Sequence, residues 1–282
     1  MEIRELNHDA VLKMIPDRDP WGHKGSFGKI LLLCGSRGYT GAAYLSAMGA
    51  LRSGAGLVFL GVPDSIYGIE AVKLNETVVF PLPDRNGMLS REAISMILDR
   101  TPRMDAVLIG CGLGIGEDTE EIVRSVLMHA ECPVVVDADG ISLLKQHKDL
   151  LRGRKYPTIL TPHDGEFARV GGTIGPDRMA SAAEFARAFN CIVLLKGHRT
   201  CITDGFRHYR NTTGNPGMGV GGSGDVLAGI IVSLLGQGLS PLEAAACGAW
   251  LHGAAGDRCA AEIGQYGMLP TDMLNILPRL MK

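Results

Sequence analysis

Short runs built almost wholly from Val, Ile and Leu recur along this chain with helix-length stretches between them, and that alternation does most to restrict its fold. Residues 29–34, 57–62, 77–80, 106–110, 133–137, 158–160 and 192–196 read as strands. Several lack the polar residue at every second position that a half-exposed strand would carry, as expected of strands covered on both faces. Helices are expected near 41–54, 91–98, 119–129, 177–189, 225–235 and 241–260. Strands alternating with helices predict an α/β protein with a mostly parallel sheet covered by helices on both faces, because parallel neighbours need a long crossover between them. Residues 200–202 and 206–211, joined by Thr203, Asp204 and Gly205, read instead as a hairpin. No Pro/Ser-rich linker, low-complexity tract or repeat interrupts the pattern, so residues 1–282 are expected to form a single domain.

The loops that follow these strands hold most of the chemically useful residues, at 35–41, 110–116, 137–140, 161–166 and 196–200. In a parallel sheet they gather at the carboxyl ends of the strands, where ligands bind. Glycine is abundant at 38 of 282 residues, roughly twice the usual share of ~7%. With no collagen-like period, the excess belongs in turns and wherever backbone must approach a ligand. Net charge is −2 and no Lys/Arg block marks a basic face, so nucleic acid is not an expected partner. Seven cysteines, at 34, 111, 132, 191, 201, 247 and 259, include no C-x-x-C pair. Their mostly apolar surroundings predict free core thiols in a reducing compartment. The opening residues lack the apolar stretch of a signal peptide. The longest apolar helix candidate, 226–236, falls short of the about 20 residues that a bilayer requires. A cytoplasmic protein with no membrane partner is expected.

One segment stands out, N-T-T-G-N-P-G-M-G-V-G-G-S-G-D-V-L-A-G at 211–229. The residues after Asp225 have a buried-helix pattern, so Gly221, Gly222, Ser223 and Gly224 fall at a helix N-terminus. Glycines there let backbone N–H groups turn toward an anion, and the helix dipole adds partial positive charge. The four residues predict an anion hole able to stabilise a phosphoryl group in transfer. Asp225 is out of place for simple anion binding, since its charge would repel a phosphate. It reads either as a helix-capping acid or as a general base that takes a proton from a hydroxyl attacking phosphorus. Gly219, Gly221 and Gly224 also match G-x-G-x-x-G. The context of a tight strand-to-helix turn is missing, and so is the acid that ends a second strand.

The stretch T-G-N-P-G-M-x-x-G-G-S-G-D-V-L-x-G resembles the signature of ADP/ATP-dependent NAD(P)H-hydrate dehydratases, within the ribokinase-like superfamily. H-K-G-S-F-G-K from His23, G-x-x-G-A-A from Gly38, G-L-G from Gly112, V-V-D-A-D-G from Val135, L-T-P-H-D-G-E-F from Leu160 and L-L-K-G-H-R-T from Leu194 match in order. The likeness runs from His23 to the C-terminal I-L-P-R, and the T-P-H-x-G-E and K-G-x-x-T pieces narrow it from ribokinase-like kinases to this family. It implies a ribokinase-like three-layer sandwich and the repair of hydrated NADH or NADPH with ADP or ATP, with Mg²⁺ as cofactor and a homotetramer as the assembly. It also implies a separate epimerase as functional companion, since the chain is too short to include one. Substrate contacts are implied at Ala42, Gly114, His163 and Asp225, and adenine-nucleotide contacts at Lys196, Gly197, His198, Arg199, Thr200 and Gly224. Metal ligands are not assigned.

Each of these residues also has a plainer reading. Ala42 opens a small-residue helix and fits tight packing, Gly112 and Gly114 fit ordinary turns, and His163 fits a surface loop. Lys196 ends an apolar strand and can snorkel to water or reach a phosphate. Asp137 and Asp139 fit turn acids as well as water-mediated Mg²⁺ ligands. The roles of Glu166 and His252 stay open, the latter reading as packing. Two other functions compete with dehydration: a ribokinase-like kinase of a small alcohol such as hydroxymethylpyrimidine or hydroxyethylthiazole, and a non-catalytic nucleotide-binding regulator.

Overall fold

The computed structural model describes residues 2–281. Its strands are β1 (Arg4–Glu5), β2 (Lys29–Leu33), β3 (Leu57–Pro63), β4 (Val78–Leu82), β5 (Asp84–Arg85), β6 (Met88–Leu89), β7 (Ala106–Ile109), β8 (Val134–Val136), β9 (Thr158–Leu160), β10 (Ile192–Leu195), β11 (Cys201–Thr203) and β12 (His208–Arg210). Its helices are α1 (His8–Met14), α2 (Thr40–Arg52), α3 (Asp64–Lys73), α4 (Ile94–Leu98), α5 (Glu117–His129), α6 (Asp139–Leu143), α7 (Leu150–Gly153), α8 (Asp164–Arg169), α9 (Arg178–Phe189), α10 (Ser223–Gly236), α11 (Pro241–Glu262) and α12 (Pro270–Ile276). A ten-stranded sheet runs in the order β1-β12-β11-β10-β9-β8-β7-β2-β3-β4, and β5 pairs with β6 in a separate ribbon. From β10 across to β4 every pairing is parallel.

The unbroken apolar runs are explained by burial on both faces. In β2, Ile30 and Leu32 belong to one core together with Cys34 just beyond the strand, while Leu31 and Leu33 belong to the other. The first core packs under α2, α10 and α11, the second under α5 and α9. Helices α2 and α10 meet backbone to backbone. A Cβ on Gly229 would lie 2.2 Å from Ser46 O, and one on Gly49 would lie 2.7 Å from Val226 O. Any larger residue at either position would force the helices apart, so the G-A-A-Y-L-S-A stretch does serve tight packing. All seven cysteines are buried and unbridged. Among the described residues no helix is long and apolar enough to cross a membrane.

Every expected strand forms, with ends shifted by up to two residues, and several expectations need correction. The hairpin closes later than its sequence suggests. Thr203 pairs with His208, so the turn is 204–207 rather than 203–205. Asp204 Oδ1 accepts from the amides of Phe206 and Arg207 at 2.9 and 2.7 Å, so the Asp side chain organises the turn. The helix expected at 91–98 starts with a 3-10 turn, Arg91–Ala93, before α4. Helix α3 was not expected. It buries only Ile66 and Glu70 and leaves Tyr67, Ile69 and Val72 exposed, so no apolar stripe announces it.

The chain reverses its direction of growth across the sheet between β2 and β7. From β2 it adds β3 and β4 on one side, and after β7 it adds β8, β9 and β10 on the other. Loops leaving two such neighbours diverge and open a crevice at the carboxyl ends of the strands. The loops after β2, β7, β8, β9 and β10 all border it.

Candidate active site

Helix α10 begins at Ser223, with Gly222 as its N-cap at φ +94. That left-handed backbone favours glycine, and a Cβ there would also meet Leu45 Cδ1 at 2.4 Å. Gly221 opens onto free space, with nothing within 4 Å of the position a Cβ would take. The first-turn N–H groups have no partners within the helix, and among the described residues 221–224 that of Ser223 alone makes a long turn bond, to Val220 O at 3.3 Å. The geometry is that of an anion cradle. Ser223 is held from behind, its Oγ lying 3.2 Å from His252 Nε2 on α11. His252 is therefore more than packing. Burial, opposed by the contact with Ser223 and helped by the charge of Lys196, pushes its imidazole down to about 4, so the ring is neutral near pH 7.

At the centre of the cluster beneath the cradle is Asp137, at the end of β8 and 2% exposed on its side chain. Its Oδ1 accepts from Lys196 Nζ at 2.9 Å and from Thr161 Oγ1 at 2.7 Å. The Cys111 thiol lies 3.5 Å from Oδ2. Lys196 Nζ also lies 3.5 Å from Glu166 Oε2. Burial works against the ammonium, but the carboxylates of Asp137 and Glu166 prevail and raise it above the ordinary lysine range. Lys196 therefore does not simply snorkel to water; its ammonium neutralises two interior acids at the edge of the cradle.

Asp225 sits one residue beyond Gly224, in the first turn of α10. Thiol and carboxylate atoms of Cys111, Asp137 and Asp225 lie within 4.8 Å of one another. Burial, followed by the charge of Asp137, pushes the Asp225 carboxyl up to about 7, against a hydrogen bond from Cys111 and the charge of Lys196, with Asp139 adding a further upward push. A carboxylate that titrates near neutrality is suited to accept and release a proton. A Cβ at Gly224 would lie 3.6 Å from Lys196 Nζ and 3.8 Å from Asp137 Oδ2, so cradle, cation and acids form one site.

His163 caps α8. Its Nδ1 accepts from the amides of Gly165 and Glu166 at 3.0 and 3.3 Å. The proton is therefore on Nε2, which lies 3.3 Å from Glu166 Oε1. Glu166 Oε2 in turn accepts from the His163 amide at 2.9 Å. His163 thus connects through Glu166 to Lys196 while its ring remains half exposed. Beyond Lys196, residues 197–200 form a rim. Gly197 has φ +150 and Arg199 φ +57, His198 and Arg199 are exposed, and Thr200 Oγ1 donates to Gly197 O at 3.0 Å.

Ala42, in the first turn of α2, and Gly114 belong to the segments that follow β2 and β7. Gly112, at φ +60, would place a Cβ 2.8 Å from that of Ala42. Gly114, at φ +84, would place one 2.4 Å from Met88 Sδ. The Gly114 amide donates to Asp139 Oδ2 at 2.9 Å. Both glycines hold strained turns and close approaches at once. Sequence reading left Asp137 and Glu166 without a role and took Cys111 for core, and it passed over Thr161. Cys111, Asp137 and Thr161 stand just after strand ends, and Asp137, Thr161 and Glu166 lie in the motifs V-V-D-A-D-G and L-T-P-H-D-G-E-F, but no spacing showed that the four meet.

The family described as NAD(P)H-hydrate dehydratase matches residues 30–279 of this chain. Over 95% of its length the chain is 46% identical to a bifunctional NAD(P)H-hydrate repair enzyme of Moorella thermoacetica and covers 52% of that protein, so it spans about half the length of such curated relatives. It is 34% identical to the ADP-dependent (S)-NAD(P)H-hydrate dehydratase of Cenarchaeum symbiosum, covering 100% of this chain and 98% of that one. The crystal structure of ADP/ATP-dependent NAD(P)H-hydrate dehydratase from Bacillus subtilis, co-crystallised with ATP and Mg²⁺, matches with a TM-score of 0.86 and 30% identity over 99% of this chain and 98% of that one. The architecture is ribokinase-like.

Proposed function

The chain belongs to the NAD(P)H-hydrate dehydratase family, and from that premise we propose that it restores hydrated NADH and NADPH at the expense of ADP or ATP. The observation that carries this reading is Asp225, a carboxyl lifted to about 7 beside a glycine cradle at a helix N-terminus. Asp225 takes the proton from the ring hydroxyl as that oxygen attacks the terminal phosphorus. The phosphorus–oxygen bond to the nucleotide breaks, and AMP or ADP leaves. Backbone N–H groups at Gly221, Gly222, Ser223 and Gly224 stabilise the charge on the phosphoryl group in transfer. Phosphate is then a good leaving group. The ring-nitrogen lone pair expels it, a proton leaves the neighbouring carbon, and the double bond returns.

In this reading the nucleotide lies along Lys196, Gly197, His198, Arg199, Thr200 and Gly224, and the hydrated cofactor lies against Ala42, Gly114 and His163. The donor chemistry fits Mg²⁺, which takes oxygen ligands from one or two carboxylates plus phosphates. Asp137 and Asp139 would hold it, Asp137 through Oδ2, since Oδ1 is engaged by Lys196 and Thr161. When bound, the ion would offset negative charge on the phosphates. The proposal also includes residues 1–282 acting as one dehydratase unit, a cytoplasmic location, a homotetramer and an epimerase working alongside.

The decisive assay supplies hydrated NADH with ADP and follows near-ultraviolet nicotinamide absorbance together with free phosphate. Equal yields of both, with no stable phosphoester, are expected. A stable phosphate ester formed on a pyrimidine or thiazole alcohol, with hydrated NADH untouched, would replace the dehydratase with an alcohol kinase. Nucleotide binding with neither reaction would leave a regulator. His163→Ala is expected to raise the KM for hydrated cofactor more than that for ADP. It should also cost about 1 kcal/mol of stability through the lost cap on α8. Equal rises in both KM values would confine His163 to the cap.

A further inference from the structure

One face of α11 grips the whole approach to the glycine cradle. Asn211 Nδ2 donates to Ala249 O at 3.2 Å, and Thr213 Oγ1 donates to Trp250 O at 2.9 Å. His252 contacts Ser223 as described above. Gly253 and Gly256 leave room for the loop to lie flat, since a Cβ at either would come 2.2 Å from Thr213 Oγ1 or 2.3 Å from Met218 Sδ. Asp257 completes this face. Its Oδ2 accepts from the Gly214 amide at 2.8 Å, and its Oδ1 accepts from Asn215 Nδ2 at 3.0 Å. Asn215 then uses its own Oδ1 to accept from the Gly217 amide at 3.0 Å.

Asp257 is exposed, and among the described residues no cation pairs with it. Its two oxygens go instead to Gly214 and Asn215, between the Thr213 anchor on α11 and the short 3-10 turn Pro216–Met218, a stretch where no other described side chain of α11 holds the loop by a hydrogen bond. Gly214 sits at φ +105, and the loop contains three glycines between Thr213 and Val220. Left to itself such a segment samples many conformations, and a nucleotide would have to order it on binding. We propose that Asp257 is a positioning residue, a latch that fixes residues 213–217 on α11 and so presets the cradle at 221–224 for a nucleotide's phosphates. The proposal extends the functional reading above, from which it takes the nucleotide as ligand.

The hydrogen-bond pattern supplies a specific test. Asp257→Asn keeps an acceptor for the Gly214 amide but turns an N–H group toward Asn215 Nδ2. Asn215 cannot flip to meet it without losing Gly217. The ADP dissociation constant, measured by calorimetry on the whole chain, should rise about tenfold, the scale of one or two lost hydrogen bonds. Amide exchange at Gly214 and Gly217 should quicken, while the melting temperature, set by the core, should barely move. The double exchange Asn215→Asp with Asp257→Asn swaps donor for acceptor and restores all three bonds, so both readouts should return close to wild type. Wild-type ADP affinity in the single variant, or no recovery in the double one, overturns the latch. Because calorimetry needs no turnover, a chain that binds ADP but leaves hydrated NADH untouched would sink the dehydratase reading and still allow the latch to be scored.

Discussion

Asp225→Asn is expected to lower turnover about 10²–10⁴-fold, the usual contribution of a general base, while ADP still binds, because the amide keeps the shape and removes a charge that repels phosphate. The pH dependence follows from the burial that pushes this carboxyl up to about 7. The base form is the ionised one, so wild-type kcat/KM should climb with pH through neutrality and level off above it. Stability should run the other way. A carboxyl raised above its unfolded value favours the folded state fully only below the ordinary carboxylate range, and that contribution is lost as pH rises through about 7. The asparagine variant, free of this cost, should melt higher than wild type at pH 8, by a margin that shrinks toward pH 4. Near-normal turnover in the variant would leave Asp225 a helix cap and remove it from the chemistry.

Lys196→Met should produce the largest loss of stability. Its ammonium lies between carboxylates that are 2% and 8% exposed, with 20% of its own side chain reachable by solvent. Removing it leaves two interior acids uncompensated, which costs about 3–5 kcal/mol and, at about 2–4 °C per kcal/mol for a chain of this general size, lowers Tm by roughly 10 °C. Lys196 also holds the Asp225 carboxyl down, so the rise of kcat/KM with pH should move to higher pH in the variant. The ADP dissociation constant should rise roughly ten- to a hundredfold if the ammonium turns to a phosphate on binding, since a charge-assisted hydrogen bond contributes about 1.5–3 kcal/mol. Unchanged ADP affinity with a lowered Tm would make Lys196 a purely internal counter-ion. A variant that melts with wild type would show that the two carboxyls do not need it.

The mostly parallel sheet, its two covered faces and the cradle before α10 were legible because each depends on local pattern. Strands such as Val134–Val136 declare themselves by unbroken β-branched runs, and the cradle by glycines directly ahead of an apolar helix. Helix α3 was not legible, because so little of it is buried. The turn at 204–207 was placed at 203–205 because Thr203, a common turn former, uses its hydroxyl to accept from the Gly205 amide while its backbone stays in the ladder.

Sequence alone determined what kinds of groups this protein could bring to a ligand: a glycine cradle, an acid at its mouth, and loops at strand ends carrying His, Lys and Asp. Which of those groups share a site was decided only by the tertiary structure. Asp137 and Lys196 are 59 residues apart in the chain, yet their bond is 2.9 Å long because β8 and β10 flank β9 in one sheet. Asp257 reaches Gly214 across 43 residues only because α11 lies against the loop. Local pattern reports how each residue meets its own helix or strand. Where Asp225 titrates depends first on its burial and then on charges such as that of Asp137, which no spacing in the sequence brings together.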